Sequence, residues 1–112
     1  MNIQIYGSKK NFDTKKAERY FKERKIAYQY IDIHEFGISK SIFEAAKRII
    51  PLEDMIDRKS KAYKTLYMDY IDESKREETL FENPSLFATP IVRNGKTEFT
   101  SGYCPDTWKN WI

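Results

Sequence analysis

Cysteine is almost missing from this chain: Cys104 is the only one. A lone thiol excludes an internal disulfide and a cysteine-built metal site. A lone histidine, His34, excludes a histidine cluster as well. No apolar run approaches the roughly 18 residues that a membrane span needs. The opening "MNIQIYG" has neither the basic start nor the long apolar stretch of a secretory leader. Internal repeats and low-complexity tracts are also lacking. These absences predict a cytoplasmic protein with no bound metal and no membrane association.

What is present suits one globular domain spanning 1–112. The chain is 40% hydrophobic and 15% aromatic, enough to build a core, and its 33% charged content is an ordinary wet surface. Charge is unevenly placed. Residues 1–27 hold eight Lys or Arg and three acids, a balance of +5, against a net +3 for the whole chain. The remainder is therefore −2. This basic segment suits an acidic partner, an anion or a nucleic acid, or else it is a lysine-rich solvated helix face.

"NIQIY" alternates and runs into Gly7, as a strand entering a turn does. Ala17, Tyr20, Phe21 and Arg24 then recur at helical spacing. Asn11 or Asp13 can cap that helix by accepting from its first free N–H groups. "AYQYIDI" (27–33) is β-branched and aromatic, a second strand; two strands joined by one helix favour a parallel pair. Residues 38–82 read as helical, with a capping box of Ser41 and Glu44, a break at Pro51 and further short helices in "LEDMID", "KAYKTLYMDYI" and "ESKREETLFEN". "TPIVRNGKTEFTSG" predicts a hairpin about Asn94-Gly95. "CPDTWKNWI" predicts a closing helix with Pro105 in its first position, Cys104 as its cap, and Trp108 and Trp111 sealing it to the sheet. The order β-α-β, helical insertion, β-β-α describes an α/β, thioredoxin-like fold with a four-stranded mixed sheet. Its core is assigned to 1–35 and 84–112 and its insertion to 38–82. In that fold Pro90 is the cis proline, with Thr89 offering free backbone to an extended ligand; the alternative is a trans proline on an edge strand.

"IYGSKKNFDTKKA", "IDRKSKAYKTL" (56–66), "NPSLFATPIVRNGK" (83–96) and "SGYCPDTWKNW" (101–111) stand in the order and spacing of one family. On these segments the chain resembles the ArsC/Spx family, which includes glutaredoxin-linked arsenate reductases and the Spx transcriptional regulators. The resemblance implies a reactive cysteine in the first turn, often with a second three residues later. Aligned on Lys15-Lys16-Ala17, those positions hold Asn11 and Thr14. A thiolate attacks arsenic or a disulfide because it is soft and anionic. An amide has no such lone pair, and Thr14 has no evident base beside it. The family's oxyanion arginines are implied at three further positions. Here these hold Thr89, Lys59 (with Arg58 adjacent) and Tyr103, none of them a planar bidentate donor in the same place.

Two functions follow. One is a cysteine-free binding or regulatory module; by resemblance its partner would be the RNA polymerase α subunit, although "IIPLEDMID" lacks the glycine that Spx proteins use near that contact. The other is a residual enzyme or ligand site without a resident cofactor, in which Ser8, Lys9, Lys10 and Asn11 with Thr89 and Pro90 hold an oxyanion or glutathione. A plain capped helix with solvated lysines is the bland alternative to that site. Cys104, at a helix start, is expected either to carry a mildly activated thiol or to be an inert half-buried one. Direct nucleic-acid binding is not expected, since the +5 segment is the only electrostatic footprint.

Overall fold

The computed structural model describes all residues, 1–112. Four strands form one mixed sheet in the order β2-β1-β3-β4. β1 (Ile3–Gly7) lies at its centre, parallel to β2 (Tyr28–Asp32) and antiparallel to β3 (Ile91–Asn94), which pairs antiparallel with β4 (Glu98–Ser101). This is the α/β, thioredoxin-like arrangement that the element order predicts.

Strand alternation divides the core between the two faces. Ile3, Ile5 and Val92 point to one face, where they meet α1 (Phe12–Glu23) and α6 (Pro105–Lys109) through Ala17, Tyr20, Phe21 and Trp108. Tyr6, Ile91 and Phe99 point to the other, beneath the insertion. The expected α1 face is correct except at Arg24, which ends the helix and lays its guanidinium 3.6 Å over the Tyr20 ring. Trp108 is fully buried and donates from Nε1 to the Thr100 hydroxyl at 2.8 Å.

β2 stops at Asp32, one residue short of the expected 27–33 span at its end, because its carboxylate turns to cap an unforeseen helix. That helix, α2 (Ile33–Phe36), has its His34 and Glu35 N–H groups bonded to Asp32 Oδ1 at 3.0 and 3.2 Å. α3 (Lys40–Lys47) is capped by Ser39, which accepts from Ile42 N–H, and not by the Ser41–Glu44 box. Glu44 instead pairs with Lys47 at 3.0 Å, and Lys47 reaches Glu77 at 2.8 Å. A 3₁₀ turn at Leu52–Met55 and α4 (Lys61–Thr65) follow; Tyr67, at φ 52°, reverses the chain where the sequence suggested more helix. α5 (Arg76–Glu82) completes the insertion.

The insertion returns to the sheet by backbone. Ile56 and Phe87 form a bridge, Asp57 N–H donates to Leu86 O at 2.9 Å and Ala88 N–H to Met55 O at 2.8 Å. The hairpin expected about Asn94-Gly95 is formed: the β3–β4 connection has three residues, Gly95–Thr97, with Asn94 inside the ladder opposite Glu98. Gly95 still supplies the left-handed φ of 64° on which the loop depends. No helix is long and apolar enough to cross a membrane.

Candidate functional site

β1 delivers the chain to the N-terminus of α1 through residues 8–11, and the sequence expectation centres on this turn. Asn11 is the cap. Its Oδ1 accepts from Thr14 N–H at 2.7 Å and from the Thr14 hydroxyl at 3.0 Å, while Ser8 N–H donates to Thr14 Oγ1 at 3.3 Å. Asn11 N–H returns to Ser8 O at 3.0 Å. Thr14 is fully buried. Its methyl group packs against Gly7 so closely that a Cβ there would lie 2.4 Å from Thr14 Cγ2. The turn is thus a closed hydrogen-bonded ring, in which Asn11 Oδ1 and the Thr14 hydroxyl occupy one another.

Lys9 and Lys10 project from this ring into solvent. Lys9 borders a cleft of about 420 Å³ whose other walls include Asp32, Glu35 and Phe36. Two carboxylates beside one ammonium make that cleft a poor anion site by Coulomb's law alone. The Thr89–Pro90 peptide is cis, and Thr89 makes no hydrogen bond with the rest of the chain. Arg58 and Lys59 follow the Ile56–Phe87 bridge, but Arg58 is held at 3.9 Å from Asp69 and above the Tyr63 ring. No hydrogen bond or ion pair joins either residue to Ser8–Thr14.

Tyr103 does meet α1. Its ring packs edge-on against Trp108, with the Lys16 ammonium 5.7 Å from its centroid. One residue earlier, Lys15 lies 5.8 Å from the ring of Phe12, which is 78% exposed. The only sequence signal for Phe12 is an aromatic at the first helical position, outside the apolar stripe of α1. The mouth of α1 therefore presents two rings with a lysine above each.

Cys104 stands at the start of α6 but does not cap it through its side chain. Its thiol donates to Ser101 O at 3.2 Å, and burial pushes it above the ordinary thiol range; a hydrogen bond with Thr100 opposes this in part, and the Asp13 charge adds a smaller push upward. The helix-start expectation of an activated thiolate fails here because α6 is short and the sulfur is turned into the protein. Its half-buried placement is that of the second alternative.

Solved structures share the whole architecture. An ArsC-family-related protein from Bacteroides fragilis superposes with a TM-score of 0.86 at 18% identity, covering 100% of this chain and 98% of that one. An arsenate reductase from Vibrio cholerae gives 0.78 at 20% identity with 100% and 98% covered. An arsenate reductase (ArsC)-related protein from Brucella melitensis gives 0.68 at 19% identity, with 99% and 94% covered. Among curated proteins, none matches the chain. The model of the ArsC family matches residues 6–111, nearly the full length; with the fold shared end to end, this chain belongs to the ArsC family.

Proposed function

We propose that this chain is a non-catalytic binding module of the ArsC family, and that the mouth of α1 receives an acidic protein partner. The observation that carries the reading is the closed turn. Asn11 spends its side-chain oxygen on both donors of Thr14, and Thr14 spends its hydroxyl on Ser8 and Asn11. In the reductases that this chain resembles, a thiolate stands at that turn. An amide and a tethered hydroxyl supply no soft anion to attack arsenic or a disulfide. Cys104 does not replace it, because burial holds the proton on its sulfur. What the mouth offers instead is Phe12 and Tyr103 with Lys15 and Lys16 above their rings, while Lys9 and Lys10 add exposed positive charge on the preceding turn. Such a surface complements carboxylates flanked by apolar groups, and its basic charge speeds encounter.

The test has two arms. The Cys104→Ser protein is assayed for arsenate turnover with glutathione and glutaredoxin; no turnover above the protein-free blank is expected, and sustained turnover refutes the non-catalytic reading. In parallel, the purified C-terminal domain of the RNA polymerase α subunit is titrated against the intact chain and a Lys15→Ala/Lys16→Ala variant. Saturable binding weakened at least fivefold in the variant supports the surface, whereas identical binding by both removes it.

A second reading, a residual oxyanion or glutathione site, draws on the free Thr89 backbone next to Pro90. Titrating phosphate, arsenate and glutathione while following the amide resonances of Gly7–Thr14 and Thr89 decides it: silence at these amides ends the idea.

A further inference from the structure

Far from the α1 mouth, at the opposite end of β1, the insertion-facing side of the sheet carries a polar row. Gln4 Nε2 donates to Gln29 Oε1 at 2.8 Å, and Gln4 Oε1 accepts from Arg93 Nε and from the Tyr6 hydroxyl at 3.1 Å. Arg93 donates a further bond from Nη1 to Gly95 O. Its guanidinium is half-buried, fixed in place by these two bonds, and paired with no carboxylate. A guanidinium has five donors; two are occupied, and Arg93 lines a cleft of about 450 Å³ between α3 and the β3–β4 hairpin.

The walls of that cleft add two more cations, Arg48 at the end of α3 and Lys96 in the hairpin loop, and neither forms an ion pair. No aspartate or glutamate lines it, while Ile42, Ala45 and Phe99 supply an apolar floor. Three positive charges lining one concavity with no carboxylate among them give it a positive potential that favours an anion. A guanidinium held by its neighbours loses little further freedom when it grips an oxyanion with two parallel N–H bonds. Size and lining match a small-molecule site with a few fixed polar groups over an apolar surface.

We propose that this cleft binds a small oxyanion that carries an apolar group, a phosphomonoester or carboxylate, with Arg93 as the fixed anchor and Arg48 and Lys96 closing on the anion from either lip. The site is independent of the α1 mouth and does not require that surface to bind anything.

The probe is phenyl phosphate, titrated into the full chain in low-salt buffer and followed by amide NMR. Saturable shifts centred on Arg48 and on Arg93–Phe99 are expected, with inorganic phosphate at least tenfold weaker because it leaves the apolar floor uncovered. The Arg48→Gln/Lys96→Gln variant alters two exposed side chains, so its spectrum should remain folded while affinity for phenyl phosphate falls at least tenfold. Arg93→Gln should abolish saturation. Equal binding of inorganic phosphate, shifts centred on Ser8–Thr14, or undiminished affinity in the folded double variant would each overturn the assignment.

Discussion

On one side of the sheet, Trp108 meets Phe21 and Tyr20 ring against ring, at centroid separations of 5.1 and 5.3 Å, beneath α1 and α6. On the other side, short helices and turns are fastened by charge as well as by apolar contact. There Arg76 grips Glu53 with two bonds of 2.8 and 2.9 Å and also donates to Met68 O and the Tyr63 hydroxyl. Aromatic rings bury large areas with few rotors to freeze, so a small layer of α1 and α6 suffices. Segments of four to eight residues cannot hold themselves helical, and the insertion needs tethers between its pieces.

The largest effect that would break this contrast is Trp108→Ala. It removes the central ring and strands the Thr100 hydroxyl, and a loss of about 3–5 kcal/mol is expected in urea unfolding, with amide protection falling across the whole sheet. Arg76→Ala should cost roughly 2–3 kcal/mol, less than a fully buried pair because Glu53 is half-exposed. Hydrogen exchange should then quicken in residues 53–80 and leave β1 protected. Equal acceleration in β1 would show that the two sides unfold as one unit. Asn11→Ala deprives Thr14 of its acceptor and α1 of its cap, an expected loss of about 1 kcal/mol confined to the start of α1.

The aromatic side and its strands were legible because each declares itself locally: alternation in β1, helical spacing through Ala17, Tyr20 and Phe21, and a glycine at the hairpin. The tethers were not. Arg76 and Glu53 lie 23 positions apart, and nothing in "REETLFEN" says which acid the arginine will find. Ser39 displaced Ser41 as a cap by a choice between two nearly equal serines. Asp32 read as a strand residue until its carboxylate closed on α2. At the candidate site, Asn11 as the cap was legible from residue type, whereas the bond from Thr14 back to Ser8 needed the turn in three dimensions. That Arg48 and Arg93 line one cleft is likewise a product of packing.

A smaller effect sharpens the contrast through pH. The Tyr28 hydroxyl, behind α1, is half-buried and donates to Glu18 at 3.0 Å; burial, then that bond and the Glu18 charge, push it up to about 12. The folded state therefore keeps a proton that the unfolded state releases near its ordinary value of about 10. Stability from this group is complete below pH 10 and declines as pH rises from 10 to 12. Tyr28→Phe should flatten that decline in parallel unfolding curves, and an unchanged slope would exclude the cause. The smallest expected signal is chemical: alkylation of Cys104 by iodoacetamide at pH 8 should run slower than that of a free thiol and reach the free rate in denaturant.

The pairing of Asn11 with Thr14 also constrains any attempt to graft sulfur back into this position. Exchanging the amide for a thiol would leave two donors on Thr14 competing for a weak acceptor, while the Thr14 side chain itself is packed to contact against Gly7. A designer seeking a reductase would have to supply Thr14 with another acceptor as well as restore the sulfur, because the present cap and the buried hydroxyl depend on the same amide oxygen.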